Sequence, residues 1–409
     1  MKYGRNYMPN KWCVSEYCFS EEVRRAMHLP EKFHIRDSTI REGDEQPGCY
    51  MPPKYKLQIA KKIYDVGIKE IDVGFVGTVE EHFEAARLIK KEIPQLETSA
   101  IIKSWVPNWK DELNRAIDAG IDRVEPWNHP IINHASDEQI AELGHTREEL
   151  IPRIVEVIEY AKKQGVKVSY MQCDAMRSSW DFLESILPAI ERAGIDRLAV
   201  AEDGYASPPA IRFFMGKLTE LLKVPILWHS HNDFGLAVAN VLAAVECGAQ
   251  AADLIVNGMG DKAGITSLEE VVVSLECLYG VKTGVKLEKL YGLSKYVEEL
   301  TGIKCQPHKA IVGENAFLHE SELHAYCIIS GIWEAMEGFR AELVGHKRQV
   351  VFGDTTLHGE AARAQLDKIG LKYTDKDLKI ILDEIRKVLP KKHTISIEEF
   401  NQIAKKVLA

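Results

Sequence analysis

Short runs of β-branched and apolar residues alternate, from residue 33 to about residue 280, with longer stretches in which apolar residues recur at helical spacing. Eight such pairs follow one another, which is the pattern of repeated βα units. An Ala-Gly-Ile or Val-Gly-Ile phrase, centred on Gly67, Gly120 or Gly194, precedes the second, fourth and sixth strands. In each phrase the glycine is expected to end a helix. The candidate strands begin at Phe33, Lys69, Thr98, Asp122, Lys167, Asp196, Val224 and Ala251.

Eight βα units within about 250 residues predict a TIM (β/α)8 barrel of the α/β class, and a doubly wound open sheet is the alternative. After Gly280 the period ends, and a smaller, mainly α-helical C-terminal region is expected. Thr374 and Ser396, each followed by acidic residues, are predicted N-caps of two terminal helices. The predicted division is an N-terminal arm at 1–32, a catalytic barrel at 33–285 and helical subdomains at 286–409.

Composition limits the class of protein. With 45% hydrophobic and 28% charged residues the chain reads as globular, and no run approaches the ~20 apolar residues that would span a bilayer. The amino terminus has no apolar signal core, so a cytoplasmic location without membrane contact is expected. The net charge of −9 argues against a nucleic-acid-binding surface. The eight cysteines form no C-x-x-C pair, so reduced thiols are expected.

The sequence HSHND places two histidines at the end of the seventh candidate strand. Side chains on a strand alternate between its faces, so His229 and His231 point the same way while Ser230 turns away. Two imidazoles in this arrangement supply half of a metal shell. The alternative is a pair of hydrogen-bonded core histidines. Their place at the carboxyl end of a strand, where TIM barrels build active sites, favours the metal site.

Ligand-type side chains also follow the other predicted strands. A carboxylate after strand one, together with the two imidazoles after strand seven, would leave coordination positions open for a substrate. The sequence therefore predicts an active site at this end of the barrel. Its polar candidates are Arg36, Asp37, Arg41, Glu42, Asp72, Asp174, Arg177, Glu202, Asp203 and the stretch 257–264.

Four segments, DSTIREG, HSHND, NGMGDKAG and NAFLHESELH, resemble the DRE-TIM metallolyase superfamily from about residue 33 to the C-terminus. Within it the chain is most similar to the Claisen-condensing branch of isopropylmalate, homocitrate and citramalate synthases. The resemblance implies that Arg41 stabilises a thioester enolate. It also implies that Glu42, His229 and His231 hold a divalent ion, with Zn, Mn and Mg as the candidates.

The helical region carries the N-A-F-x-H-x-x-x-x-H element of the condensing enzymes, which the related lyases lack. The resemblance implies that His324 acts as acid or base in the site of a neighbouring subunit. Glu320 or Glu322 is expected to assist His324 in moving the proton. A homodimer, in which the helical region completes the partner's site, is the expected assembly. By spacing alone His319 and His324 would be weak evidence, because they do not share one helix face.

The acceptor half of the site departs from the family pattern. Glu202 stands where the family has a threonine near the acceptor's carboxylate, while the family's arginine is kept at Arg177. Glu202 is expected to pair with Arg177, to repel a simple 2-oxo acid, or to turn aside toward Lys262. The residues expected to bind substrate are Arg177, Asp72, Glu202, Asn257 and His319.

These features predict a metal-dependent acyltransferase for small-molecule substrates. It would condense an acyl-CoA co-substrate, acetyl-CoA in the first place, with a 2-oxo acid and then hydrolyse the thioester. The alternative is an aldolase or lyase of the hydroxymethylglutaryl-CoA lyase type, which runs the cleavage direction on the same barrel.

Overall fold

The computed structural model describes residues 5–8, 11–129, 137–142 and 144–409. The described chain divides into two compact units, one of residues 19–304 and one of residues up to 18 together with residues 305–409. The predicted boundaries at residues 32 and 285 stay predictions, because compactness does not by itself identify independently folding domains. Within the described residues, no helix is long and apolar enough to cross a membrane.

The strands in chain order are β1 (Arg5–Met8), β2 (Trp12–Ser15), β3 (His34–Asp37), β4 (Glu70–Gly74), β5 (Glu97–Lys103), β6 (Arg123–Trp127), β7 (Lys167–Gln172), β8 (Arg197–Glu202), β9 (Ile226–Ser230), β10 (Ala251–Leu254), β11 (Leu318–His319), β12 (Gln349–Phe352) and β13 (Ile395–Ser396). The helices are α1 (Glu21–Arg24), α2 (Pro53–Asp65), α3 (Glu80–Glu92), α4 (Trp109–Asp118), α5 (Asp137–Glu142), α6 (Arg147–Lys163), α7 (Trp180–Arg192), α8 (Pro208–Leu221), α9 (Ala237–Glu246), α10 (Leu268–Ser274), α11 (Leu290–Thr301), α12 (Glu322–Ile329), α13 (Glu360–Lys368), α14 (Asp375–Lys392) and α15 (Ile397–Leu408).

Strands β3 to β10 form a closed parallel barrel in sequence order. The ring closes at β10, where Ala251 is in register with His34 of β3 on one side and with Leu227 of β9 on the other. The TIM barrel prediction is confirmed, and the open sheet is wrong. All eight predicted strands are present. Gly67, at φ 107°, ends the turn after α2, and a Cβ there would lie 2.5 Å from the carbonyl oxygen of Gly284.

The amino end of the barrel interior is a layer of ion pairs from alternate strands. Glu70, Arg123 and Arg197 are the first residues of β4, β6 and β8. Two Arg197 nitrogens donate to the Glu70 carboxylate at 2.9 and 2.5 Å, and Arg123 lies 3.6 Å from it. Burial opposes ionisation of Glu70, yet the attraction and hydrogen bonds of Arg197 outweigh it and lower the Glu70 pKa to about 2.

Because of the Glu70 ion pairs, we expect the free energy of unfolding to decrease as the pH falls through the acid range. A carboxyl whose folded-state pKa is depressed contributes stability that is complete above its unfolded pKa near 4.5 and is lost as the pH falls toward 2. We expect the free energy of unfolding of wild type to fall by about 3 kcal/mol more than that of Glu70→Gln between pH 6 and pH 2, as a shift of this size implies. Urea unfolding at several pH values measures it, with exposed Glu220→Gln as control. Equal pH slopes in wild type and Glu70→Gln would contradict the assignment.

The unit that contains residues 305–409 has its own core. The rings of Phe352 and Phe400 stack at 4.2 Å, and the inner faces of α13, α14 and α15 pack around them. Thr374 and Ser396 each form a capping box, which confirms both predicted N-caps. Besides the expected helices, the region contains a three-stranded sheet of β11, β12 and β13. These strands are two to four residues long, too short for a hydrophobic period to reveal.

Candidate active site

A cavity of about 380 Å³ opens at the carboxyl ends of the barrel strands, and we call it the barrel cavity. It is larger than one water and of the size that a small metabolite fills. Its floor is apolar, because Met171, Cys173 and Ala201 belong to a buried cluster inside the barrel. The charged and imidazole side chains that line it are Arg41, Glu42, Glu45, Asp174, Arg177, Asp203, His229, His231 and Asp261.

The two histidines at the end of β9 face one another in the wall of this cavity. Their ring centroids are 5.1 Å apart. The Nδ1 of His229 lies 3.1 Å from Asp253 Oδ2, which fixes the orientation of the ring. The Nδ1 of His231 is buried and has no hydrogen-bond partner. Burial, reinforced by the charge of His229, lowers the pKa of His231 to about 3, so this imidazole is neutral at neutral pH.

Arg41 is buried beside the histidines, in the turn after β3. Its Nε donates to Asp72 Oδ2 at 2.9 Å, and its Nη1 donates to Glu42 Oε2. Its Nη2 is buried without a hydrogen-bond partner. A buried guanidinium N–H that the protein leaves unpaired is costly unless a ligand accepts from it. Arg41 is therefore held through two of its nitrogens, and its third nitrogen has no hydrogen-bond partner among the described residues.

Of the three residues predicted to bind the divalent metal, the two histidines are suitably arranged and Glu42 is not. The neutral His231 with its unpaired buried nitrogen, and His229 oriented by Asp253, have the chemistry of metal ligands. Glu42, however, is turned onto Arg41. Within the described residues, no three His, Cys, Asp or Glu side chains converge closely enough to hold an ion. The residue types fit a metal, and the ligand role of Glu42 stays a prediction.

A buried arginine joins the two sides of the cavity. Two nitrogens of Arg36 bind both Asp253 oxygens, one at 2.5 Å, and its Nη1 donates to Glu125. Asp253 orients His229, while Glu125 accepts the indole N–H of Trp127 at 3.1 Å. Sequence reasoning missed Asp253, Glu125 and Trp127. The available signal was the presence of charged residues at inward-facing positions of otherwise apolar strands.

The position of Glu202 differs from the one predicted from the sequence. It is fully buried, does not line the barrel cavity, and accepts hydrogen bonds from the backbone N–H groups of Tyr205 at 2.6 Å and Ala206 at 3.0 Å. The Ser230 hydroxyl and the Asn240 amide donate to its other oxygen. The predicted pairing of Glu202 with Arg177 or with Lys262 is therefore wrong, because these four local donors satisfy the carboxylate.

The next residue along the chain takes the place predicted for Glu202. Successive side chains at the end of a strand point to opposite sides, so Asp203 enters the cavity as Glu202 leaves it. The two cations predicted as partners are engaged elsewhere. Arg177 holds Asp174, at 2.6 Å for the closest pair, and Lys262 holds Asp233 at 2.8 Å.

Three of the barrel residues that were expected to bind substrate lie outside the cavity lining, and Arg177 lies in it. Asp72 is behind Arg41 and also accepts the N–H of Gly74 at 2.9 Å. The amide of Asn257 is turned to Ser294, whose hydroxyl donates to it at 2.6 Å. Asp72 therefore positions Arg41, and Asn257 ties the loop after β10 to α11.

In the other unit, His319 and His324 lie with ring centroids 5.8 Å apart. His319 is buried, with its Nε2 at 3.1 Å from Glu337, while His324 is exposed. Glu322 accepts the backbone N–H groups of Ala361 at 2.7 Å and His358 at 3.3 Å, near the start of α13. The catalytic roles of His324 and Glu322, and the substrate-binding role of His319, stay predictions.

Known proteins share both the barrel and the region after it. The HMGL-like family model matches residues 32–297, which include every residue that lines the barrel cavity. This chain belongs to the HMGL-like family. A second model, described as homocitrate synthase post-HMGL domain-like, matches residues 311–393. The resemblance inferred from the four sequence motifs is thus confirmed.

Relatives of this HMGL-like chain include synthases that span nearly all of it. The 2-isopropylmalate synthase of Methanocaldococcus jannaschii is 38% identical over 372 residues, which are 90% of this chain and 70% of that protein. Homocitrate synthase AksA of Methanopyrus kandleri is 34% identical over 391 residues, or 95% of this chain and 96% of that one. The structure of Bacillus subtilis HMG-CoA lyase shares the fold, with a TM-score of 0.59, 21% identity and coverage of 68% of this chain and 97% of that chain.

Proposed function

We propose that this protein is an acyltransferase that condenses acetyl-CoA with a 2-oxo acid and then hydrolyses the thioester. The observation that carries the proposal is the unpaired Nη2 of Arg41, buried in a cavity wall beside two histidines. A donor held there suits the negative oxygen that develops when a thioester forms an enolate. The relatives named as synthases, with the match at residues 311–393, support condensation over cleavage.

Each of these residues would have a separate role in the reaction. Arg41, fixed by Asp72, would stabilise the enolate oxygen. Glu42, His229 and His231 would hold a divalent ion, which would supply Lewis-acid polarisation of the acceptor's carbonyl. Arg177 would reach the acceptor from the cavity wall, and His324 would move the proton.

The cleavage alternative has less support. The HMG-CoA lyase structure shares the barrel fold but covers 68% of this chain, whereas the homocitrate synthase type of region matches at residues 311–393. A lyase would release acetyl-CoA from a 3-hydroxyacyl-CoA and would show no thiol release from acetyl-CoA.

The decisive experiment is thiol release from acetyl-CoA across a panel of 2-oxo acids, with metal-free protein and with added Zn²⁺, Mn²⁺ or Mg²⁺. We expect release that requires both a 2-oxo acid and a divalent ion. Acetyl-CoA formation from hydroxymethylglutaryl-CoA, without any acceptor-dependent thiol release, would establish the lyase instead.

We also propose a homodimer in which His324 acts in the cavity of the partner subunit. Mixing Arg41→Ala with His324→Ala subunits should then restore about a quarter of wild-type activity, because random exchange gives half of the dimers one intact site of two. Subunit exchange is checked with differently tagged chains. Failure to recover activity despite exchange would place His324 in its own subunit's site or outside catalysis.

A further inference from the structure

Asp203 differs from the other acidic side chains in the wall of the barrel cavity, because one of its carboxyl oxygens is buried without a hydrogen-bond partner among the described residues. Among the described lining residues, Glu42 and Glu45 face Arg41, and Asp174 is paired with Arg177. Asp261 is exposed to solvent at the rim. Asp203 is partly buried, and no N–H or O–H donor of the described protein reaches its buried Oδ2.

The backbone holds Asp203 in this position. Glu202 on one side anchors the N–H groups of Tyr205 and Ala206. Gly204 on the other side has φ 88°, and a Cβ there would lie 2.5 Å from Asp233 Oδ2. A turn that is fixed on both sides of Asp203 holds the backbone of this residue in place at the cavity wall.

The cations near Asp203 are already engaged. Arg177 Nε donates to both Asp174 oxygens at 2.9 Å, and Lys262 holds Asp233 at 2.8 Å. Burial, followed by the negative charge of Asp174, raises the pKa of Asp203 to about 7. Asp174 lies close enough to share one proton with it, but the pair still presents an acceptor oxygen that the protein does not satisfy. Such an oxygen is stabilised by a donor that the ligand brings.

We propose that Asp203 selects the acceptor, so that the cavity prefers a 2-oxo acid whose side chain carries a hydrogen-bond donor such as a hydroxyl group. This inference rests on the proposed function. The apolar floor of Met171, Cys173 and Ala201 contacts the methylene groups of such a chain, and its terminal hydroxyl donates to Asp203. An aliphatic end would leave the carboxyl unpaired, and a carboxylate end would be repelled by Asp203 and Asp174.

The test compares isosteric acceptors that differ in one terminal group. The first pair is 4-hydroxy-2-oxobutanoate and 2-oxopentanoate, the second is 5-hydroxy-2-oxopentanoate and 2-oxohexanoate, and 2-oxoglutarate supplies the carboxylate end. For each, kcat/KM is measured by thiol release and affinity by calorimetry without acetyl-CoA. We expect wild type to prefer the hydroxylated member of at least one pair by roughly 10- to 100-fold, the range of a charge-assisted hydrogen bond.

Two substitutions and one control assign this preference to Asp203. Asp203→Val should abolish it, and Asp203→Asn, which keeps the shape and removes the charge, should reduce it to a few-fold. If the valine variant does not fold, the asparagine variant carries the test. Asp261→Asn removes the same charge from the exposed rim of the same cavity, and its hydroxyl-to-methyl ratio should equal that of wild type.

The outcomes separate this inference from the proposed function. Asp203-dependent binding of hydroxylated acceptors without any thiol release would refute the acyltransferase proposal and support the selection by Asp203. Turnover with a ratio near one in both pairs would support the acyltransferase and overturn the selection. A preference that persists in Asp203→Val, or that disappears equally in Asp261→Asn, would also overturn it.

Discussion

Arg41→Lys is expected to lower kcat for acetyl-CoA thiol release by about 100- to 1,000-fold, the range found when one oxyanion donor is removed. In the structure, Arg41 donates from Nε to Asp72 and from Nη1 to Glu42, while Nη2 has no partner among the described residues and is the donor proposed for the enolate oxygen. A lysine amine can bind one or both carboxylates but cannot keep a planar third donor aimed into the cavity. The loss should therefore appear in kcat and kcat/KM alike.

The control is Arg87→Lys, the same change at an exposed position on α3, which should leave kcat unaltered. Circular dichroism and thermal denaturation establish whether the Arg41 variant keeps its fold. A correctly folded Arg41→Lys protein with kcat within about threefold of wild type would rule out the role assigned to the unpaired nitrogen.

His231→Ala is expected to reduce bound divalent metal to near the background level and to abolish turnover, because one of the three proposed protein ligands is lost. His231 is the ligand candidate with the clearest structural sign, a partly exposed neutral imidazole whose buried Nδ1 has no hydrogen-bond partner among the described residues. Metal content is measured by atomic emission after dialysis against a trace of Zn²⁺, Mn²⁺ or Mg²⁺. This readout does not depend on knowing the acceptor.

His34→Ala provides the matched control, since His34 is exposed at the opposite end of the barrel, on β3. It should retain the metal content of wild type. Unchanged metal content and turnover in His231→Ala would exclude His231 from the metal site. Loss of metal in Glu42→Gln as well would show that Glu42 leaves Arg41 to complete the donor set.

The comparison of Glu202 with Asp203 shows where sequence-based reasoning about the site reached its limit. The resemblance to the family predicted that the end of β8 binds the acceptor, and it showed an acidic residue where a threonine is usual. It could not show which of two adjacent carboxylates faces inward, because that depends on where the strand ends and how the following turn folds. The four donors that claim Glu202 come from the turn after β8, from β9 and from α9.

The buried residues behind His229 could not be predicted from the sequence for the same reason. Asp253 and Glu125 are about 130 residues apart in the sequence and meet at Arg36, which lies on a third strand. In the sequence, Asp253 and Glu125 are each recognisable only as an isolated charged residue within an otherwise apolar strand. Their joint role becomes visible when β3, β6 and β10 are placed around one barrel interior, since pairing across the lumen is a property of the closed ring.

By itself the sequence determined the elements and their order. The alternation of apolar runs and helical stretches specified eight βα units, the glycine phrases marked the ends of α2, α4 and α7, and Thr374 and Ser396 marked the starts of α14 and α15. The positions of His229, His231, Arg41 and Glu42 predicted an active site at the carboxyl end of the barrel, where the barrel cavity lies. These features are encoded locally, within a strand, a turn or a cap. Only the tertiary structure decided that Glu42 rests on Arg41, that Asp203 and not Glu202 enters the cavity, and that Arg36 joins Asp253 to Glu125. Those outcomes depend on which of several buried partners lies within hydrogen-bonding distance, and that distance is set by barrel closure between residues far apart in the chain.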